Sequence, residues 1–577
     1  MKGLTNSEKK PDYTKGKGEQ EVKRYGSILM TSVAVIALAA CSNSSNDRES
    51  TVEAVASADE LPERFEEPVR LDLIKHVSGD IFFRDGETIE DNVHTEWVKD
   101  TFNIDLNYMW TTSGPGETFE TKLQLEMSSN QPLPSILALR SPLTQDLIDS
   151  GRVKEVGELF DKYASDTWKE AMAADPHAWD PYTREEGRFA IPILDYEMNG
   201  DTVLFIRQDW MDNLGLDAPE TLEDIEEIMD AFVNGDPTGT GEKVYGLAAG
   251  FTNQLNTWMS TVDWVFGAHG GMPNQYNLAE DGTLVNGDIQ PEIKDGLETL
   301  KRWMDEGYLH QESGLWDEGK AAELFTAGRA GIIAGPHWMP DWPLAEVLEN
   351  VEGAEYKAYD IPTGPEGLKG RSTGITSQNG AVMFNENATE DEIQAFFVYQ
   401  NYLFENFANP EEGSEFEYGF AEGYDYVFEN GDVKYGEEDI PGGRIDPVKY
   451  TLTFDGARIP SLYINALADF ARGEEPKTPF ERKVYLQYPE QAWEGARIVV
   501  DSADAQIPSM FTGRPTETMV SRGDALDTLL SEGFNKMIYG ETPIDEFDGL
   551  VEQWRSQGGD DVIAEVNEWF DVVNSSE

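Results

Sequence analysis

Apolar and polar positions along this chain follow two periods. Alternation with a period of two marks Val69-Arg70-Leu71-Asp72-Leu73 and Ile104-Asp105-Leu106-Asn107-Tyr108 as strands with one face turned to a core. Ser135-Ile136-Leu137-Ala138-Leu139 is a continuous apolar run, the pattern of a strand buried on both faces. Between such runs the spacing becomes helical. Thr221-Leu222-Glu223-Asp224 has the form of a capping box, and Leu222, Ile225, Ile228, Met229 and Phe232 recur on one face after it. Ile293, Leu297, Leu300 and Met304 make a second stripe, ended by Gly307. Phe547, Leu550, Val551 and Trp554 predict a helix stopped at Gly558-Gly559, and Val562, Ile563, Val566, Trp569 and Phe570 open the last one. Tryptophans on these stripes read as core. Strands alternating with helices predict an α/β architecture.

The N-terminal region breaks from this pattern. Lys23-Arg24 precedes an apolar stretch from Tyr25 to Ala40, which closes on Leu38-Ala39-Ala40-Cys41. A membrane span needs about 20 apolar residues, so the short stretch with a charged start and a small-residue end describes a secretory signal. Small residues directly before Cys41 resemble the lipobox of bacterial lipoproteins, whose cysteine becomes the lipidated N-terminus; the bland alternative is a buried cysteine after an ordinary signal. The expectation is a signal peptide over residues 1–40, lipidation at Cys41 and an extracytoplasmic protein held at the cell membrane by its lipid. Met1–Glu21 is polar for the start of a signal, and a translation start at Val22 would leave a compact one. Residues 41–66, rich in Ser, Asn, Asp and Glu, read as a flexible tether ahead of a body over 67–577.

Composition narrows the function classes. Asp and Glu number 110 against 44 Lys and Arg, a formal net charge of −66, which is a poor match for nucleic acid. Such a charge suits saline surroundings, where salt screens self-repulsion. With 39% hydrophobic residues and 27 Phe, 22 Tyr and 14 Trp, the chain is not a disordered acidic polymer. A lone cysteine excludes an intrachain disulfide framework and thiolate zinc clusters. The six histidines include no His-x-x-x-His pair, and no phosphate loop, Gly-x-Ser-x-Gly elbow or His-Glu-x-x-His helix is present. Carboxylate pairs, the signature of glycoside hydrolysis, occur in nearly every window and carry no information here. A secreted polysaccharide-degrading enzyme therefore stands as the alternative function.

The order of motifs resembles a known family. Arg188-Phe189-Ala190-Ile191-Pro192-Ile193 and then Phe205-Ile206-Arg207-Gln208-Asp209-Trp210-Met211 look like the first inter-lobe crossing of carbohydrate ABC-importer solute-binding proteins (extracellular solute-binding protein family 1). Asp236-Pro237-Thr238-Gly239-Thr240-Gly241, Ile332-Ile333-Ala334-Gly335-Pro336-His337-Trp338 and Pro362-Thr363-Gly364-Pro365 follow in the family's order. Phe511-Thr512-Gly513-Arg514-Pro515 and Asn567-Glu568-Trp569-Phe570 resemble its long lipoprotein branch, which includes alginate-oligosaccharide binders. The likeness runs from about Val69 to Phe570. It implies a two-lobe periplasmic-binding-protein-like fold with a hinge and an interlobe cleft, lobe I over about 67–198 and 376–455, lobe II over about 199–375 and 456–577. It further implies a monomer that is not an enzyme, an oligosaccharide ligand and the transmembrane subunits of an ABC permease as partners.

A sugar cleft needs flat aromatic platforms beside a few fixed polar groups. The candidate ligand contacts are Trp258, Trp264 and Phe266 in one aromatic segment, Trp338 and Trp342 after a strand-like run, and Tyr196 and Tyr424. Trp264 and Phe266 read equally well as helical core. His337 reads as a hydrogen-bonding loop residue. Relatives often carry a calcium-binding loop where this chain has Asp236, Thr238, Thr240 and Glu242, but calcium seeks six to eight oxygens and threonine donates weakly, so the loop reads as a tight turn with no cofactor expected, and calcium at these four residues stands as the alternative. Neutral and uronate oligosaccharides both stay open, since Arg140, Arg207, Arg371, Arg444 or Arg514 could pair with a carboxylate.

Overall fold

The computed structural model describes residues 61–574, with residues 80, 253 and 375–377 excepted. The expected signal peptide, Cys41 and the tether as far as Glu60 lie outside the described residues. Leu61 and Phe65, in the last stretch of the expected tether, pack against a hydrophobic core, and the Phe65 N–H donates to Phe102 O at 3.0 Å. Two apolar side chains in a short polar segment are enough to dock it.

The buried apolar residues gather into two bodies. One is built from residues 71–194 with 381–457, the other from 203–361 with 463–566. The chain therefore passes between the bodies three times, near residues 195–202, 362–380 and 458–462. At the first and third passages the Glu197 N–H donates to Pro460 O at 2.9 Å.

In the first lobe, Val69–Val77 pairs in parallel with Ile104–Ser113, and Ile136–Leu139, Gln378–Phe384 and Ile191–Leu194 form an antiparallel sheet with Gln378–Phe384 at its centre. The alternating strands bury Leu71 and Leu73, as their period predicts, under the helix Glu390–Asn406. In the second lobe a four-stranded sheet runs in the order Tyr356–Tyr359, Thr202–Arg207, Ala330–Pro336, Tyr245–Ala248. All residues of Thr202–Arg207 and Ala330–Pro336 are buried, so helices and loops cover both faces of this sheet.

The helix Leu222–Asn234 forms with the capping box at Thr221 and buries the five residues of its predicted stripe. In Glu292–Asp305 the buried stripe ends on Trp303, with Met304 only partly covered. Phe547–Trp554 and Asp560–Asn574 are separated by a break at Gly558, whose φ of 131° a side chain would resist.

Candidate ligand-binding cleft

Ala330–Pro336 is an inner strand, and a turn bearing Trp338 and Trp342 follows its carboxyl end, with Trp338 reaching the first passage at Asn199. Open α/β sheets present ligand loops at this end of their strands. The Trp338 indole is fixed by a 2.8 Å hydrogen bond from Nε1 to the Asn199 carbonyl. Trp258 stacks on Trp338 with ring centroids 5.9 Å apart and on Trp342 at 6.3 Å, the planes 21° and 9° from parallel. Trp258 Nε1 donates to the Glu318 carboxylate at 2.8 Å. Gly335 permits this arrangement: its φ is 157°, and a Cβ there would fall 2.5 Å from Met339 Sδ and 3.4 Å from the Trp258 carbonyl. Trp342 and Trp258 remain 54% and 41% exposed, so the trio offers indole surface to solvent.

A row of charged groups continues from the tryptophans across the first and third passages. Tyr196 stacks on Tyr463 at 4.7 Å and carries the Arg458 guanidinium 4.7 Å above its ring. Arg458 pairs with Asp195 and lies 3.4 Å from Asp455. Asp455 also receives Arg140 at 2.5 Å and Lys449 at 3.0 Å. Burial alone would raise the Asp455 carboxyl, but Arg458, Lys449 and Arg140 together hold it well below the usual carboxylate range. Asp341, next to Trp342 in the chain, keeps some solvent-facing surface, yet desolvation pushes its carboxyl up against the pull of Arg444. At the carboxyl ends of Val69–Val77 and Ile136–Leu139 lies a cavity of about 220 Å³ walled by Lys75, Phe119, Arg140, Lys449 and Phe454.

The structure thus brings Trp258, Trp338 and Trp342 together, with Tyr196 next along the row. Trp264 and Phe266 are corrected to core. Both are 0% exposed; Trp264 donates to Thr261 O and packs on Trp303 at 5.7 Å, and a side chain at Gly296 would strike the Phe266 ring. They leave no face for a sugar. Tyr424 stands apart in the first lobe, its hydroxyl donating to Glu87 Oε1 at 2.6 Å under Arg84. His337 is also corrected: it is fully buried, and neither ring nitrogen has a hydrogen-bond partner among the described residues.

Of the five arginines, Arg207 is buried in a two-pronged pair with Asp209, and Arg371 is buried on the carbonyls of Thr202, Val499 and Ser502. Arg514 lies in an exposed pair with Asp149. The calcium-loop residues satisfy one another. Asp236 Oδ1 accepts from Gly241 N–H and Thr238 Oγ1, and Thr238 bonds Thr240 at 2.8 Å. Among the described residues no group of three or more His, Cys, Asp or Glu is placed to hold a metal. Lys75, Phe119, Lys449, Phe454 and Arg458 were not singled out by the sequence. Nothing in their local pattern marks them; the fold brings them together from a strand, a helix and the segment before the third passage.

Residues 83–410, more than half of the chain, match the model of the family described as bacterial extracellular solute-binding protein. The chain belongs to that family. Among its relatives, Lipoprotein LipO of Bacillus subtilis (strain 168) is 24% identical over 64% of this chain and 68% of its own length. The polygalacturonan/rhamnogalacturonan-binding protein YtcQ of the same strain is 26% identical over 64% and 67%. Among solved structures, alginate-binding protein AlgQ2 without calcium ion superposes with a TM-score of 0.61 at 16% identity, covering 89% of this chain and all of that one. The Streptococcus pneumoniae substrate-binding protein FusA in complex with kestose gives 0.61 at 16% identity, over 88% of this chain and all of that one. The two bodies are the two lobes of this solute-binding fold. Among the described residues no helix is long and apolar enough to cross a membrane.

Proposed function

We propose that this protein is the lipid-anchored, extracytoplasmic solute-binding component of an ABC importer, which captures an oligosaccharide between its lobes and hands it to the permease. The observation that carries the reading is the stacked trio of Trp258, Trp338 and Trp342 at the end of a buried sheet, open to solvent at Trp258 and Trp342 and tied to the first passage through Trp338 and Asn199. Indole faces bind the apolar C–H faces of sugar rings, and charged groups beside them bind hydroxyls. Relatives named for polysaccharide and fructooligosaccharide binding support the same class of ligand. The mechanism is hinge closure about the three passages: ligand contacts made by both lobes favour the closed form by their difference in affinity between the two states. No bond is made or broken. The protein acts as a monomer with the permease as its partner.

The test is a thermal-shift screen of the full chain against defined oligosaccharides, with the solutions analysed for products. At a hundredfold excess over Kd a ligand stabilises by about 2.7 kcal/mol, a plain shift in melting temperature. Stoichiometric binding with the glycan recovered intact is expected; release of shortened products would instead establish the hydrolase. The anchor is tested by Cys41→Ser, which should release the protein from the membrane, since stable attachment needs more than one acyl chain and the modified cysteine supplies it. Firm attachment of that variant after a high-salt wash would contradict the anchor.

A further inference from the structure

The first-lobe cavity differs in charge from the rest of the molecule. Acids outnumber bases by 110 to 44 in the chain, yet Lys75, Arg140 and Lys449 all reach this one cavity. Among the described residues lining it, Glu120 is the only carboxylate, and it accepts a hydrogen bond from Ser141 Oγ at 3.0 Å. Asp455, behind the wall, pairs with Arg140 and Lys449, and Arg458, which it also meets, is held by Asp195, so at the cavity Lys75, Arg140 and Lys449 face Glu120 and Asp455.

Arg140 is held in a particular way. Its guanidinium lies 4.4 Å over the Phe454 ring, and Nη2 is tied to Asp455 at 2.5 Å. Nε and Nη1 make no hydrogen bond among the described residues, and the side chain is 38% exposed. Nη2 is held by Asp455 while the guanidinium lines the cavity, so Nε and Nη1 remain as charged donors for a carboxylate placed there. Phe119 and Phe454 supply apolar faces beside it, and about 220 Å³ is room for one sugar ring. The other four arginines do not line this cavity: Arg207 and Arg371 are buried on partners of their own, Arg514 pairs with Asp149, and Arg444 lies elsewhere.

We propose that this cavity is a subsite for a carboxylate-bearing sugar residue, making the ligand a uronic-acid oligosaccharide with one carboxylate on Arg140. The proposal rests on the oligosaccharide-binding reading above. It is tested by calorimetry of the full chain with defined uronic-acid trisaccharides of several linkages, each beside the same trisaccharide after carboxyl reduction. At least one uronate should bind tenfold or more tighter than its reduced counterpart, the scale of a charge-assisted hydrogen bond. Its affinity should fall as salt is raised, while that of the reduced sugar stays level. Arg140→Gln should remove that preference and Arg140→Lys should keep part of it, with unliganded melting temperatures close to the parent because Asp455 retains Lys449 and Arg458. Equal affinity for acid and reduced sugars, or equal loss for both in Arg140→Gln, would overturn the proposal and leave the oligosaccharide reading standing. Failure of every glycan, acidic or neutral, in this assay and in the wider screen would overturn both.

Discussion

Two tryptophan pairs in the second lobe have nearly the same ring separation and opposite surroundings. Trp264 and Trp303 lie 5.7 Å apart with neither ring exposed, whereas Trp258 and Trp338 lie 5.9 Å apart with Trp258 41% open. All four indoles are tied through Nε1 to an acceptor: Trp264 to Thr261 O, Trp303 to Glu226, Trp258 to Glu318 and Trp338 to Asn199 O. Ring contact and a satisfied indole nitrogen are therefore common to core and cleft. What separates them is the backbone that carries the ring. Trp264 sits on the helix Asp263–Gly267, buried throughout beneath Glu292–Asp305, so packing takes both of its faces. Trp258 and Trp342 sit on loops past the strand end, where each indole keeps a large part of its surface open.

The largest effect should come from breaking the buried pair. Trp264→Ala should lower unfolding free energy by about 3–5 kcal/mol, measured by denaturant titration, with the folded fraction binding ligand normally. The next concerns His337, whose neighbour Trp338 reaches the cleft while the imidazole does not. Burial holds that imidazole down to about 3, so below pH 6.5 the unfolded chain gains a proton that the folded one refuses. Its contribution is full above pH 6.5 and drains away as pH falls toward 3, by roughly a few kcal/mol in all. The stability of the parent relative to His337→Gln should decline over that window; a flat difference would mean the imidazole is not kept neutral.

Smaller effects sharpen the cleft side. Trp338→Ala should weaken ligand binding by about 2 kcal/mol, roughly thirtyfold in Kd, with less loss of stability than Trp264→Ala because Trp338 is only partly buried. A large drop in melting temperature with unchanged affinity would move Trp338 to the core. Trp342→Ala should change unliganded stability by no more than about 0.5 kcal/mol, the range for exposed positions, while still costing affinity.

Elements with a long period are legible in the amino-acid pattern itself. Leu222–Asn234 carries its cap and five-residue stripe within thirteen residues, so local physics suffices. Asp263–Gly267 is five residues long, too short for a period to show, and the burial of Trp264 and Phe266 follows from the helix laid over them. The Trp303 and Met304 exchange is of the same kind: both fit the stripe, and the neighbour decides. The cavity wall is the least legible feature. Lys75 shares the buried face of its strand with Leu71 and Leu73, where the period calls for an apolar residue, and Lys449 and Phe454 arrive from more than three hundred residues away. Arg140 alone gives a cue, standing directly after an apolar strand run, where strand ends meet ligands.

In the proposed function the open tryptophans hold the ligand. Calorimetric titration of a binding oligosaccharide into the parent and into the Trp258→Ala/Trp342→Ala double variant tests it most directly. Binding should weaken at least a hundredfold, about 2.7 kcal/mol, with the unliganded melting temperature little changed. Undiminished affinity in the double variant would contradict it.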